Sequence, residues 1–245
     1  MAHGGLPAVT GTGGNRILAV LRPADFDLLA RNLQTVALEQ DTVLVRAGEP
    51  AEYVFFPHSG AVSLMVDMAN GQTVATATTG REGAVSFLSA IGPSPSDITA
   101  IVHAAGTASR ISALRFRAAF NRSPAIRHAL QTHVSAMLTQ FQLGAACNAL
   151  HPVEARMARW LLHLRDRIGH DVLPLTQEVI SQILGVRRTT VTLLMRNLRS
   201  SGAIKSDHRG KIEINRSRLK AAACECHHTM HLEAFGSISL SGCWA

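Results

Sequence analysis

The clearest pattern of hydrophobic and polar positions lies between residues 173 and 198. Apolar residues recur there at helical spacing, first in a segment that ends at Leu184 and again in a segment that ends at Leu198. Thr176 can cap the first helix, because a hydroxyl accepts a hydrogen bond from a free amide of the first turn. Gly185 separates the segments and suits the left-handed backbone that follows a helix end. The pattern predicts a helix–turn–helix.

The outer face of the second helix is basic and polar. With the capping threonine, it supplies the residues that we expect to contact DNA: Thr176, Arg187, Arg188, Thr189, Thr190, Thr192 and Arg196. An uncovered basic helix, held across a short turn from a supporting helix, fits the major groove. The alternative is an ordinary helical pair whose arginines form only a solvated face.

A two-stranded wing is predicted after this helix pair. Ile204-Lys205 and Ile212 to Ile214 flank a short basic segment, His208-Arg209-Gly210. We expect Arg209 and Lys211 at the tip of the wing to touch DNA phosphates.

The region from Thr35 to Leu114 has a different period. Short runs rich in Val, Ala, Thr and Phe alternate there with turns rich in Gly, Pro and Asn. Asn70-Gly71 between two such runs is the strongest short hairpin signal. Many short strands at this spacing imply a sandwich or a barrel, and we predict a small antiparallel roll.

A long helix is predicted from Ser123 to Ala149, with Ser123 as N-cap and Pro124 at the first helical position. Its apolar residues recur every three or four positions and form a stripe. This stripe can cover the roll and meet a copy of itself in a dimer seam formed by Ile126, Leu130, Val134, Met137 and Phe141. The alternative is a helix buried wholly within one chain.

Composition supports a folded chain of two domains. Hydrophobic residues make up 47% of the 245 residues, which argues against disorder. No segment approaches the ~20 consecutive apolar residues of a membrane span. Residues 1–14 lack the charged start and long apolar run of a secretory signal. We therefore expect a cytoplasmic protein with no membrane partner.

The net charge of +7 is concentrated in the helix–turn–helix region. Residues 151–220 hold 14 Lys and Arg against 6 Asp and Glu, whereas the rest of the chain holds 10 against 11. A polyanion partner for this one domain follows more naturally than a generally adhesive protein.

From Ile17 to Leu219 the chain resembles the cyclic-AMP receptor / fumarate-nitrate regulator (Crp/Fnr) family of bacterial transcription factors. The most specific matching segments are Gly48-Glu49, Tyr53 to Phe55 and Gly60 to Val62 in the roll, and Gly185 to Val191 in the helix–turn–helix. The resemblance implies an α+β fold with an N-terminal antiparallel double-stranded β-roll, a long dimerisation helix and a C-terminal winged helix–turn–helix. It also implies a homodimer that binds specific DNA sequences, acts with RNA polymerase and is not an enzyme.

The composition and the periodic patterns, which agree with this resemblance, set the expected domain boundaries. They are a disordered N-terminus at 1–15, a sensor-like roll at 16–122, a dimerisation helix at 123–150, a DNA-binding domain at 151–220 and a tail at 221–245.

The effector segment departs from the family pattern. In cyclic-nucleotide binders of this family, a Gly-Glu pair holds the ribose and a downstream Arg clamps the cyclic phosphate. The place of the pair is taken here by Gly80-Arg81, which Glu82 and Gly83 follow, and the chain has no Arg or Lys between Arg81 and Arg110. A phosphate taken into the roll needs a fixed cation, because an unpaired buried charge is costly. We therefore expect no response to cyclic AMP, no cofactor and an effector of unknown identity.

The positions of the cysteines argue against an iron–sulfur cluster and suggest a metal site in the tail. Residues 1–146 contain no cysteine, which excludes the N-terminal iron–sulfur cluster that the family's oxygen sensors use. The tail, by contrast, concentrates candidate ligands for zinc or a redox metal: Cys224, Cys226, His227 and His231. Their spacing is not a standard zinc pattern. Oxidation of the two close thiols and a simply packed terminal helix are the alternatives.

Arg188 stands where better-known relatives carry an arginine that recognises guanine, and Arg to guanine is also the commonest specific base contact. Thr189 and Leu193 replace a Glu and an Arg of those relatives, so the operator should differ from the familiar one.

Two other functions are alternatives to sequence-specific DNA binding. One is a non-specific nucleic-acid-binding protein, and the other is a cupin-like metalloenzyme, for which the roll offers only His58 and His103.

Overall fold

The computed structural model describes residues 14–206 and 211–236. The helices are α1 (Arg16–Ala19), α2 (Pro23–Ala30), α3 (Phe87–Ile91), α4 (Ala113–Arg122), α5 (Pro124–Leu150), α6 (Val153–Ile168), α7 (Gln177–Leu184), α8 (Arg188–Ser200), α9 (Arg216–Ala222) and α10 (Cys226–Gly236). The strands are β1 (Gln34–Leu38), β2 (Val43–Val45), β3 (Tyr53–Pro57), β4 (Ala61–Asp67), β5 (Thr73–Thr79), β6 (Thr99–Ala104), β7 (Gly106–Ser112), β8 (Val172–Pro174), β9 (Ile204–Ser206) and β10 (Lys211–Ile214).

The first seven strands form the predicted roll. They pair antiparallel in two sheets, one in the order β1-β7-β3 and the other in the order β2-β6-β4-β5. The predicted hairpin joins β4 to β5, where Val66 pairs with Val74 and Gly71 adopts a left-handed φ of 80°. Apolar side chains from both sheets, α1 and α4 fill the interior. The roll and its place in an α+β fold are therefore confirmed.

The long helix α5 begins where the sequence predicted. The Ser123 hydroxyl accepts a hydrogen bond from the amide of Ile126 at 3.1 Å, and Pro124 occupies the first turn. The same hydroxyl donates to the Asp25 carboxylate at 2.7 Å, which ties the start of α5 to α2. The N-terminal half of α5 then closes the core of the roll.

The C-terminal domain has its own core, formed by α6, α7, α8 and a small sheet. The predicted wing strands β9 and β10 pair, but β8 adds a third strand on the other side of β10. The sequence prediction missed β8 because Val172–Pro174 is short and directly precedes the capped helix α7. Arg209 at the predicted wing tip lies outside the described residues.

Asn15 corrects the prediction of a disordered N-terminus over residues 1–15. Its side chain is fully buried. Its amide donates to the backbone carbonyls of Pro57 and Gly83 at 2.9 Å, and its Oδ1 accepts from two amides of α1. Because every polar atom of this side chain is used, Asn15 anchors the start of the chain to the roll. Residues 1–13 lie outside the described residues.

Among the described residues, no helix combines the length and the apolar character needed to cross a membrane.

Candidate DNA-binding surface

The helix–turn–helix is built from local capping interactions. The Thr176 hydroxyl accepts a hydrogen bond from the amide of Val179 at 3.2 Å and begins α7. Gly185 ends α7 with a φ of 64°, a conformation that side chains with a Cβ rarely adopt. The amide of Val186 then donates back to the Ser181 carbonyl at 3.1 Å. These contacts are those of a Schellman end, and they fix the angle at which α8 leaves the turn.

Helix α8 has one buried face and one exposed face. Its buried residues lie in the domain core and are Val191, Leu194, Met195 and Leu198. The exposed side chains on the other face include most of the predicted contact residues: Arg187, Arg188, Thr189, Thr192 and Arg196. Thr190 is half-buried, so it has the least access to a ligand of the predicted set. The structure thus presents a cationic helix face with the arginines at both ends.

Two features of α8 were not predicted from the sequence: a hydrogen bond of Thr192 to α7 and the exposure of Leu193. The Thr192 hydroxyl lies 2.8 Å from Oε1 of Gln177 and 3.1 Å from the carbonyl of Arg188, so it links the two helices of the motif. Leu193 is 47% exposed beside the arginines. An apolar side chain in that position can contact a thymine methyl group in the major groove.

The wing lies next to the end of α8. Arg199 donates to the Ser206 hydroxyl at 3.2 Å, which joins the end of α8 to β9. Lys211 begins β10 opposite Pro174 and is exposed. The wing therefore extends the cationic surface beyond the recognition helix.

The predicted dimer seam is divided by the structure. Ile126, Leu130 and Met137 are buried within the chain's own core, and Phe141 packs partly against it. Val134 is 36% exposed, and Leu138, which the sequence prediction did not include, is 55% exposed. The helical period identified one apolar stripe, but the roll covers most of it because α5 packs directly on the roll.

The predicted effector segment is closed by side chains from two other elements. Arg81 is exposed, whereas Glu82 is buried and its carboxylate accepts a hydrogen bond from Arg167 of α6 at 2.8 Å. The same carboxylate accepts from the amide of Gly80 at 3.0 Å. Gly83 packs against the ring of His133 so closely that a Cβ would overlap it. The segment is therefore a junction between the roll, α5 and α6.

Two of the buried histidines are His133 at this junction and His103 within the roll. Burial lowers the pKa of His133 to about 4, although the Glu82 charge and a backbone hydrogen bond with Ala84 oppose the change. Burial likewise lowers the pKa of His103 to about 4 against the charge of Asp41, and its Nδ1 lies 2.8 Å from the Ser63 hydroxyl. Both rings are therefore neutral near pH 7.

A cavity of about 460 Å³ lies between β5, the C-terminal half of α5 and α6. Its lining includes Thr78 from the roll, Phe141 from α5, and Trp160 and Arg167 from α6. A molecule bound there would contact the sensor-like and DNA-binding domains together.

The four predicted metal candidates in the tail separate into two groups. His227 and His231 each lie beside Asp166, with nitrogen–oxygen distances of 3.2 and 3.1 Å. Burial opposes ionisation of Asp166, but the hydrogen bond from His227 and the nearby His231 outweigh it and lower its pKa to about 2. Cys224 and Cys226 lie instead beside Cys147 and His151. The sequence prediction missed these two partners because they precede the DNA-binding domain and the tail follows it.

Comparisons with solved structures show the fold. A candidate transcriptional regulator of the Crp/Fnr family from Eubacterium rectale has a TM-score of 0.67 at 18% identity, with 84% of this chain and 96% of that chain covered. The c-di-GMP-responsive global regulator CLP of Xanthomonas campestris has a TM-score of 0.65 at 16% identity, covering 79% and 99%. FixK2 from Bradyrhizobium japonicum has a TM-score of 0.65 at 17% identity, covering 78% and 98%. A search of the curated proteins found no match.

Family models match both domains of the chain. The model of the cyclic nucleotide-binding domain matches residues 35–123, and the model of the Crp-like helix-turn-helix domain matches residues 155–222. Together the two matches span more than half of the chain, in the order that the fold displays. The chain belongs to the Crp/Fnr family of transcription regulators, which bind DNA through this helix–turn–helix and are not enzymes.

Proposed function

We propose that the protein is a homodimeric, sequence-specific regulator of transcription that cyclic AMP does not control. The observation that carries the proposal is the exposed face of α8, where Arg187, Arg188 and Arg196 stand on a helix whose other face is buried. Two such helices in a symmetric dimer would enter successive major grooves about 34 Å apart. In this proposal, residues 16–122 form the sensor-like roll, 123–150 the dimerisation helix, 151–220 the DNA-binding domain and 221–245 the tail.

Arg188 is the residue that we propose to recognise a base. It is exposed at the first position of α8, the end of a recognition helix that reaches base edges. Its guanidinium can donate two parallel hydrogen bonds to N7 and O6 of guanine. Thr176, Lys211 and Arg209 are proposed to position the domain through phosphates. The Thr192 hydroxyl is held within the motif, so its contribution is to fix the helix pair.

The dimer seam that we propose is the outward face of α5. Val134 and Leu138 are exposed there one turn apart, and the small side chains of Ala145 and Ala149 continue the face toward the end of the helix. Large apolar residues exposed on one helix face indicate a surface that another copy covers. Close approach of two such helices at the alanines would bring the two DNA-binding domains into a fixed relation.

Independence from cyclic AMP is supported by charge and by packing. The segment that would hold the ribose and phosphate provides one exposed cation, Arg81, and one buried carboxylate, Glu82, which Arg167 already engages. A cyclic phosphate placed beside Glu82 would meet a negative charge without a new partner. The relative from Xanthomonas campestris responds to c-di-GMP, but among the described residues of this chain none argues for that ligand.

We also propose that the protein is cytoplasmic and acts with RNA polymerase, because a regulator of transcription acts where the transcribed DNA is. A non-specific nucleic-acid-binding protein is the competing function, since a basic surface alone binds any duplex.

The test of the proposed function is selection of bound duplexes from a random pool by the purified full-length protein. We expect a two-fold symmetric sequence whose half-sites lie one helical turn apart, and unchanged enrichment when cyclic AMP is present. An unenriched pool with equal affinity for all duplexes at fixed salt would overturn the proposal.

A further inference from the structure

Four potential metal ligands meet at the base of the DNA-binding domain. The thiols of Cys147, Cys224 and Cys226 and a ring nitrogen of His151 all lie within 4.8 Å of one another. The Cys147 and Cys224 sulfurs are 3.5 Å apart, and the Cys226 sulfur is 3.8 Å from Nδ1 of His151. All three cysteines are buried, and none of them forms a disulfide. Buried thiols gathered around one imidazole are a donor set that zinc binds, as Cys₃His.

The spacing of these atoms fits a single tetrahedral ion. With Zn–S bonds of about 2.3 Å and Zn–N bonds of about 2.0 Å, the ligand atoms of a tetrahedral site are roughly 3.5–3.8 Å apart. Two of the pairs already have that separation, and the widest pair needs to contract by at most about 1 Å. An iron–sulfur cluster holds its cysteine sulfurs around several metal atoms and inorganic sulfides, so it needs a wider ring of ligands.

The second nitrogen of His151 also has the environment of a metal ligand. Its Nε2 lies 3.1 Å from a carboxylate oxygen of Glu225, while Nδ1 faces the cysteines. A carboxylate that accepts the remaining ring N–H selects the tautomer whose other nitrogen can bind a metal. Glu225 stands between the two tail cysteines, so the Cys-Glu-Cys segment supplies two ligands and the group that orients a third.

The charges around the cluster suit this metal complex. Three thiolates and one neutral imidazole around Zn²⁺ carry a net charge of −1. The guanidinium groups of Arg156 and Arg159, one turn apart on α6, interact electrostatically with these cysteines. Arg159 also donates to the Met230 sulfur of α10 at 3.2 Å, which holds it on the tail side of the cluster. Two cations beside a buried anionic complex compensate its charge.

We propose that Cys147, His151, Cys224 and Cys226 bind one Zn²⁺ ion and that this ion fastens the DNA-binding domain to the dimerisation helix. Cys147 lies in the last turns of α5 and His151 caps that helix, whereas Cys224 and Cys226 follow α9. The whole DNA-binding domain therefore lies between the two pairs of ligands: Cys147 and Cys224 are 77 positions apart, and His151 and Cys226 are 75 positions apart. Closing a loop of this length through a metal restricts how the domain can move relative to the dimer axis.

The first experiment measures metal in the untagged full-length protein. We expect one zinc per chain after purification or after addition of Zn²⁺ to the reduced protein. Replacement by Co²⁺ should give the sulfur-to-cobalt charge-transfer band and the intense visible bands of a tetrahedral thiolate site. Thiol titration should find three cysteines protected until a chelator is added. Chelation should also lower the melting temperature.

The variants separate this site from other metal binding. Cys226→Ser and His151→Ala should lose zinc and weaken the cobalt spectrum, whereas the control variants Cys243→Ser and His228→Ala should keep both. If the ligand variants fail to fold, the cobalt spectrum of the wild-type chain still distinguishes a thiolate site from a site of oxygen and nitrogen ligands. Zinc retained at full stoichiometry by Cys226→Ser, a cobalt spectrum without thiolate bands, or a Cys147–Cys224 disulfide in the freshly purified protein would each overturn the proposal.

Discussion

At the scale of single residues, position on a helix decides which side chains can meet DNA. Arg188 and Arg196 are exposed on α8, whereas the Thr192 hydroxyl is occupied within the motif and Thr190 is half-buried. The sequence period placed the two arginines and Thr192 on one polar face. It could not show which hydroxyl would bond to Gln177, because that residue lies on the preceding helix. Caps and turn glycines were predictable because their partners are three or four positions away.

Replacing Arg188 by Ala should weaken binding to the selected operator by about 1–3 kcal/mol and relax the preference at one base pair in each half-site. The physical reason is the loss of two hydrogen bonds that only guanine accepts in that geometry. The measurement is a titration against the operator and a set with single base pairs changed, at two salt concentrations. Lys211→Ala is the matched control, because loss of a phosphate contact should weaken all sequences alike and reduce the salt dependence by about one phosphate. If Arg188→Ala weakens binding to every sequence equally, Arg188 contacts only phosphate, and Arg187 or Thr189 must recognise the base.

His133 should make the fold sensitive to acid. Its pKa is lowered to about 4 by burial against the roll, despite the nearby Glu82 charge, whereas an unfolded histidine titrates near its ordinary value of 6.5. Between these values the unfolded chain binds more protons than the folded chain. The stability that neutral His133 contributes is therefore fully present above pH 6.5. As the pH drops toward 4, the free energy of unfolding falls by up to about 1.4 kcal/mol per pH unit.

His133→Gln should remove this part of the pH dependence, since an amide oxygen can still accept from the Ala84 amide but does not titrate. The measurement is the slope of the unfolding free energy against pH from 7 to 4, by urea titration. His128→Gln, an exposed position on the same helix, should keep the wild-type slope. If His133→Gln keeps it too, the acid sensitivity lies in other groups, of which His103 is the first candidate.

At the scale of elements, the helix α5 serves two surfaces. Its first half is part of the core of the roll, and its outward face exposes Val134 and Leu138. A hydrophobic period predicts that a face is covered, but it does not say by which partner. For this reason the sequence located the helix to within about one residue at each end, but it offered Ile126 and Leu130 both to the roll and to a copy of the chain.

Substituting both Val134 and Leu138 by Arg should produce a folded monomer. Both side chains are exposed in a single chain, so charged replacements leave its core intact, while four guanidinium groups would repel each other across a two-fold seam. Sedimentation should report the monomer mass, and operator affinity should fall by roughly 100-fold or more because two linked half-site contacts become one. Leu114→Arg, at another exposed apolar position, should remain a dimer with unchanged affinity. A dimer that persists in the double variant would place the seam elsewhere.

At the scale of the whole molecule, the links between domains are the part that sequence could not supply. Glu82 bonds to Arg167 across 85 positions, and Cys147 meets Cys224 across 77. The sequence predicts a functional role for one residue at each junction: Glu82 as an effector contact and Cys224 as a metal ligand. Their partners carried no local signal, because neither a spacing nor a period connects residues on separate domains. Domain order was predictable from local patterns, and domain contact was not.

The Glu82–Arg167 pair should behave as a buried junction between the roll and the DNA-binding domain. Its side chains are only 4% and 2% exposed, with an oxygen–nitrogen distance of 2.8 Å. Arg167 also donates to the carbonyl of His163, so the guanidinium is held from its own helix. Removing either partner leaves the other buried charge without its ion-pair partner. Glu82→Met or Arg167→Met alone should therefore cost about 3–5 kcal/mol of unfolding free energy.

The double variant Glu82→Met/Arg167→Met should cost much less than the two single changes added together, because no buried charge is then left unpaired. Urea unfolding of the four proteins, each also carrying Trp244→Phe so that the fluorescence comes from Trp160 in α6, is monitored by that fluorescence and separately by far-ultraviolet circular dichroism. It gives the coupling free energy and shows whether both domains lose stability together. Arg165→Met is a suitable control, since Arg165 on the same helix pairs with Asp171 near the surface and should cost little. Additive single costs would mean that the pair contributes no coupling. Strong coupling with loss of operator affinity in the single variants alone would identify this bridge as the contact through which the roll holds the DNA-binding domain in position.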